Sequence, residues 1–259
     1  MNTKTLSERG LSVIDQYLRF KVGGAVCSVP YFNNRTVKAR AALRTYIGKG
    51  SPADIFEETN SLAVKEHIDP AALSDESLKK LLVDNNLGIE CSGFAYYVLS
   101  AESHERGKGA LERHISFVNC SGIVGKIRCS LRPAENCDVA TFAHDKNSRV
   151  IGAADVAPGD IITMAGGPDG VDRDHILVIY QVEYQNFVPI RIHYSHAVAY
   201  PEDGLYGSGV RQGSIEITDP SKPLTDAVWS EGGSVAAAAH IFARAQISKT
   251  ELRRLLWFL

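Results

Sequence analysis

No apolar run in the 259 residues approaches the roughly 20 needed to cross a bilayer, so the sequence predicts no membrane span. The opening stretch, Met1-Asn2-Thr3-Lys4-Thr5-Leu6-Ser7-Glu8-Arg9, lacks the apolar core of a secretory signal. A cytoplasmic location is the expectation that follows. Strong charge of one sign is missing too. The net charge is −2, so no global field recruits nucleic acid or an anionic membrane. There is no internal repeat and no low-complexity segment. Cysteine is sparse and unpatterned: Cys27, Cys91, Cys120, Cys129 and Cys137. An odd count at irregular spacing, without a C-x-x-C pair, does not read as a disulfide framework. Cys120, Cys129 and Cys137 with His104, His114 and His144 match no usual zinc-ligand spacing. No metal and no cofactor is therefore expected.

What is present is the composition of a folded soluble protein, 44% hydrophobic and 22% charged. The length suits one large domain or two small ones. The first part reads as helical. Leu11, Ile14 and Leu18 share a helical stripe over residues 8–20, and Gly23-Gly24 ends it. Cys27 to Asn34 reads as a loop punctuated by Pro30 and the asparagine pair. Asn34 can cap a second helix through Ile47. Ser51-Pro52-Ala53-Asp54 combines an N-cap serine, proline at the first helical position and an acid three residues on. A fourth helix is predicted near 75–84, with Leu78, Leu81 and Leu82 inward.

The character changes after about residue 104. Residues 104–150 are polar and irregular, with short strands expected at 114–118 and 123–128. From Pro158-Gly159-Asp160 onward the pattern is β. Strands are expected at 161–164, 174–180, 190–195 and 210–217, with a turn near 184–187. A helix is expected at about 235–244 and a second over 249–257 after Ser248. The apolar Leu255-Leu256-Trp257-Phe258-Leu259 end reads as a docked tail, too short for an anchor.

One stretch carries chemistry. Cys91, Ala95, Val98 and Leu99 form one helical stripe, with Cys91 at the first turn. Free backbone N–H groups and the positive dipole end favour an anion there, and such a position can lower a thiol's pKa. Only the thiolate is a good nucleophile. Cys91 read blandly is a small buried hydrophobe. A nucleophilic cysteine also needs an imidazole within hydrogen-bond reach and a polar group to fix its tautomer. His175 begins one predicted strand and is the candidate base. His193 and His196 compete for the third place. Alternation along the strand puts Arg191, His193 and Ser195 on one face and Ile190, Ile192 and Tyr194 on the other. His196 falls on the apolar face unless a bulge intervenes, so His193 is favoured.

Glu90-Cys91-Ser92-Gly93-Phe94, Pro158-Gly159-Asp160, Asp174-His175-Ile176-Leu177-Val178-Ile179-Tyr180 and Ile192-His193-Tyr194-Ser195, in that order, resemble the NlpC family of papain-like cysteine peptidases. The resemblance covers about residues 88–217 discontinuously. It departs from the family pattern at Glu90 (usually aspartate), Leu177 (usually glycine) and Tyr194 (usually alanine). Carried over by motif, it makes Cys91 the nucleophile, His175 the base and His193 the third polar residue. Pro30-Tyr31-Phe32-Asn33-Asn34 is similar to a family loop whose tyrosine leans on the thiol, though its glycines are missing. Tyr31, Ser92 and Gly93 then become substrate-side residues, with Gly93 leaving room near the backbone. A plain core aromatic is the alternative for Tyr31.

The fold so implied is α+β and papain-like. A helical N-terminal half packs on an antiparallel sheet, and the nucleophile sits at a helix N-terminus. One domain would cover 1–259, with a helical insertion at about 35–87 and an irregular one at about 104–150. The implied partner is a peptide, of the cell-wall stem-peptide type the family cleaves. Two further readings stay open: an amidase or acyltransferase using the same triad, and a non-catalytic binding module on the same scaffold.

Overall fold

Serine caps set where the N-terminal helices begin. In the computed structural model, which describes residues 1–33, 44–166 and 174–258, Ser7 accepts from the Gly10 N–H and opens α1 (Glu8–Leu18). The preceding residues, Asn2–Thr5, form β1, a strand that the sequence did not announce. Gly23, with φ of 59°, does not simply end a helix. It turns β2 (Phe20–Val22) back on β3 (Ala25–Cys27), and a side chain there would strike the Pro70 carbonyl. Most of the helix expected from Asn34 lies outside the described residues. Its end, Arg44–Ile47, is a 3₁₀ turn. Ser51 and Asp54 form the expected capping box on α2 (Pro52–Lys65). Ser74 caps α3 (Asp75–Asp84), and Leu78, Leu81 and Leu82 face inward. The fifteen-residue α4 (Cys91–Glu105) follows, with Cys91 as its first residue. Buried Glu102 ties α4 to α1: it accepts from the Ser7 N–H (2.9 Å) and Oγ (2.6 Å).

Residues 104–150 depart from expectation. The strands expected at 114–118 and 123–128 do not form, and α5 (Gly122–Leu131) occupies the second place. Period-2 reasoning fails because Ile123, Val124 and Ile127 are all exposed, so no buried face enforces alternation. Cys120 and Cys129 form a disulfide, a single local bridge that the cysteine spacing did not announce. A local pair nine residues apart can be stapled without any framework. Cys27, Cys91 and Cys137 are free thiols.

The second half supplies the sheet. β4 (Ser148–Val150), β5 (Ile161–Ala165), β6 (His175–Gln185), β7 (Val188–Val198), β8 (Gly209–Glu216) and β9 (Val228–Glu231) precede α6 (Ala239–Ile247) and β10 (Lys249–Leu255). The order across the sheet is β4-β10-β5-β6-β7-β8-β9, and β1 adds to β6. Every pairing is antiparallel. The helix expected at 249–257 is instead β10. It lies between β4 and β5 because Leu252 and Leu255 serve opposite faces of the sheet. Its buried Arg253 is neutralised by Glu251 (2.6 Å) and Asp145 (2.5 Å). The C-terminal apolar residues dock as expected: Trp257 stacks on His114 and Phe258 lies under Arg106.

The architecture is thus a mixed helix and antiparallel-sheet fold with a core on each side of the sheet. Ile161, Ile176, Val178 and Ala197 face the N-terminal helices. Ile162, Leu177, Ile179, Tyr194 and Trp229 face α6. Among the described residues no helix is long and apolar enough to cross a membrane.

Candidate active site

Cys91 reaches its neighbours because α4 packs on β6 and β7. The turn before it is fixed on both sides: the Glu90 N–H donates to the Gly48 carbonyl (2.9 Å), and the Ile89 N–H to the Pro30 carbonyl (2.9 Å). The thiol is 5% exposed and lies near the backbone N–H of Ile176, the residue after His175, which favours its charged form. Helix tip and strand start thus lie side by side, but no hydrogen bond joins the sulfur to His175, whose side chain alternates to the face of β6 opposite Ile176 and bonds His196 there.

His175 is buried, and its Nε2 lies 2.7 Å from Nδ1 of His196. Nε2 of His196 lies 2.8 Å from Oε1 of buried Glu231. Together they make a chain of three side chains, from strands β6, β7 and β9. An ionised carboxylate only accepts hydrogen bonds. Glu231 thus assigns the His196 proton to Nε2 and leaves its Nδ1 as an acceptor. That acceptor in turn assigns the His175 proton to Nε2. The Nδ1 lone pair of His175 is then the nitrogen able to take a proton.

Sheet register explains the chain. Ile179 pairs with Tyr194, Tyr194 with Gly213, and Gly213 with Glu231. Gly213 is required in this row, since a Cβ there would sit 2.4 Å from the Tyr194 ring. The ring crosses that gap, and its hydroxyl donates to Glu231 Oε1 (3.2 Å).

The expected third residue is not in this arrangement. His193 lies on the opposite face of β7, and its Nε2 is 2.7 Å from Glu183 at the partly exposed sheet surface. The physical reason is register. Asn186 and Phe187, both at positive φ, form a two-residue turn, and two register shifts beyond it, at Glu183/Tyr184 and Ile179/Gln181, cancel to set Ile179 opposite Tyr194 and Val178 opposite Ser195. Carried on, this ladder brings His196 opposite Leu177, diagonal to His175 and on its face. Counting outward from the turn would have found His196. Lys49 and Glu231 carried no comparable signal, because neither belongs to a motif in the sequence.

The other substrate-side candidates divide. Tyr31 pairs backbone with Ile89. Burial, then Cys91, hold its phenol above the ordinary value, and its hydroxyl accepts from Asn33 Nδ2 (3.3 Å). Ser92 and Gly93 face the interior instead. The Ser92 hydroxyl accepts from Lys49 Nζ (2.7 Å) and donates to Glu90 (2.6 Å). Gly93 is small because Gly48 packs on it, its carbonyl oxygen 2.7 Å from where a Cβ would stand. Room for substrate is not what that glycine provides.

Beneath the turn, buried Lys49 meets Glu90 at 2.5 Å and donates to the Cys137 carbonyl (2.8 Å). Glu90 thus turns to Lys49 and makes no side-chain cap on α4. Removing one member of a buried pair strands the other charge. Lys49→Met is expected to destabilise the fold by about 3 kcal/mol, and Lys49→Met with Glu90→Leu to recover most of that, in urea unfolding.

Electrostatics correct the expectation of a lowered thiol pKa. Burial, then Glu90, push the Cys91 thiol up to about 12, against the opposing influence of Lys49, the Ile176 N–H and Arg244. Burial, then His196 and Arg244, hold His175 well below its ordinary 6.5. At neutral pH both groups rest uncharged. A buried neutral histidine binds fewer protons than an unfolded one, so folding stability must fall as pH drops below about 6.5. Thermal melts between pH 7.5 and about 5 are expected to show this drop, and His175→Gln should reduce it.

Comparison with known protein families, curated proteins and solved structures found no match to this chain.

Proposed function

We propose that the protein is a cysteine-dependent hydrolase of the NlpC-like, papain-like type, most suited to peptide bonds. Two observations support this: a thiol stands at a helix N-terminus packed on the strand that His175 begins, and the Nε2 of that imidazole is tied through His196 to a buried carboxylate. The reading requires the Cys91 thiol and His175 Nδ1, which no hydrogen bond joins in this structure, to meet when substrate binds. Catalysis begins from the neutral pair. Nδ1 of His175 takes the Cys91 proton as the sulfur attacks the acyl carbon. The imidazolium so formed is stabilised through His196 by Glu231. The Cys91 and Ser92 N–H groups, at a helix start with no side-chain cap, face the developing oxyanion; losing such a donor typically costs about 10²–10³ in rate. His175 then protonates the leaving amine, the C–N bond breaks and a thioester remains. Water, deprotonated by His175, attacks the thioester. The acid leaves and the thiol regains its proton.

Tyr31, whose buried phenol feels Cys91 electrostatically, is the substrate-side residue of this reading. Arg244 acts electrostatically on Cys91, His175, Tyr31 and Tyr200. A cation there favours substrates with a carboxylate near the scissile acyl group, as cell-wall stem peptides have. One domain over 1–259, with 35–87 and 104–150 as insertions, fits this reading. The Cys120–Cys129 disulfide favours an oxidising compartment over the cytoplasm. Acid-quenched mixtures with muropeptides, plain peptides and non-peptide amides, followed by mass mapping, test the assignment. A peptidyl adduct on Cys91 is expected. An adduct from non-peptide amides alone would move the protein to the amidase or acyltransferase class, and no adduct from any of them would leave a binding module.

A further inference from the structure

α5 is amphipathic in the wrong direction for a helix on a protein surface. At about 100° per residue, Ile123, Val124, Ile127 and Leu131 fall within one arc of about 100°. These four are 79%, 80%, 55% and 74% exposed. The opposite side of the helix turns to the protein. It carries Cys129, the helix's buried residue, and Gly125, which approaches Cys120. The Cys120–Cys129 disulfide ties that side to the segment just before the helix. Lys126 and Arg128 flank the arc on its two sides and are exposed.

Charge selects among the surfaces that could cover this arc. No acidic residue occurs between Arg113 and Glu135. Asp54, Glu57, Glu58 and Glu135 line a cavity at the helix's C-terminal end, where Leu131 borders it, together with Arg44 and Arg132. A second copy docked about a two-fold axis would bring Lys126 and Arg128 against their own counterparts, with no carboxylate on α5 to meet them. A bilayer bearing anionic headgroups answers both features. Its hydrocarbon boundary accepts the aliphatic arc, and its headgroups accept the flanking ammonium and guanidinium, whose stems are long enough to reach outward.

We propose that α5 is an interfacial anchor: Ile123, Val124, Ile127 and Leu131 enter the outer part of an anionic lipid bilayer, flanked by Lys126 and Arg128 at headgroup level. The two signals together, apolar insertion and basic contact, are what reversible membrane attachment requires. The near-zero net charge of the whole chain hides this local segregation.

Flotation of the full chain with vesicles of phosphatidylcholine alone, or of phosphatidylcholine with phosphatidylglycerol, tests it. The protein is expected to float with the anionic vesicles and to be released by high salt. Ile123→Ser with Ile127→Ser and Leu131→Ser, at exposed positions that leave the core intact, is expected to lower partitioning about a hundredfold. Lys126→Gln with Arg128→Gln should lower it about tenfold. Circular dichroism and an unchanged melting temperature would establish that the variants fold. A wild-type protein that stays unbound, or a folded serine variant that floats equally well, overturns the proposal. So does a wild-type dimer that the serine variant converts to monomer without any vesicle binding.

Discussion

Cys91→Ala is expected to lower hydrolysis of any substrate the wild-type chain turns over by about 10⁴-fold or more. The substitution removes one sulfur atom from a buried position, so the fold should lose only about 1 kcal/mol. Cys91→Ser should fare almost as badly. His175 at Nδ1 would then face an alcohol, a far weaker acid than a thiol, in a setting where burial already pushes the Cys91 thiol up to about 12. Cys27→Ala and Cys137→Ala should leave the rate unchanged within a few-fold. Initial rates on equal amounts of folded protein, checked by circular dichroism, distinguish these outcomes. Hydrolysis surviving Cys91→Ala would remove the nucleophile from the mechanism.

His196 and His193 provide the second large contrast. His196 Nδ1 holds His175 at 2.7 Å, whereas His193 bonds Glu183 on the other face of the strand. His196→Ala should cost about 10²–10⁴ in kcat/KM, the range seen when a base loses the group that fixes its tautomer. His193→Ala should cost no more than a few-fold. Because His196 is buried, loss of folding could imitate loss of catalysis, so Glu231→Gln serves as the companion variant. Glutamine keeps the shape but can donate as well as accept. It therefore stops dictating the His196 tautomer, and kcat should fall with KM little changed. The acid limb of kcat/KM should lie below pH 6.5 in the wild type, since burial holds His175 below that value. It should move in Glu231→Gln, a response that a merely structural role would not give.

Much of the frame was legible in the residues. Ser51-Pro52-Ala53-Asp54 and Ser74 mark their helices because the capping hydrogen bonds are local. Cys91 could be put at a helix start because glycine-flanked polar residues precede an uninterrupted apolar run. The His175 strand was legible from its β-branched run. What failed depended on distant partners. β10 reads as a helix until β4 and β5 are seen to bond it on both sides. His196 was passed over because alternation puts it on an apolar face, and that face is where a buried polar chain runs. Glu231 offers no local sign at all. Its role exists only because Tyr194, Gly213 and Glu231 line up across three strands.

Timed alkylation of the folded chain with iodoacetamide at neutral pH, read by peptide mass mapping, tests the central relation between Cys91 and His175 without needing the natural substrate. Exposure alone ranks the free thiols with half-buried Cys27 first and buried Cys91 and Cys137 behind. Activation by His175 reverses that rank: Cys91 should label first, and the lead should vanish in His175→Ala. Labelling led by Cys27, with Cys91 as inert as Cys137, would contradict a nucleophile at this position.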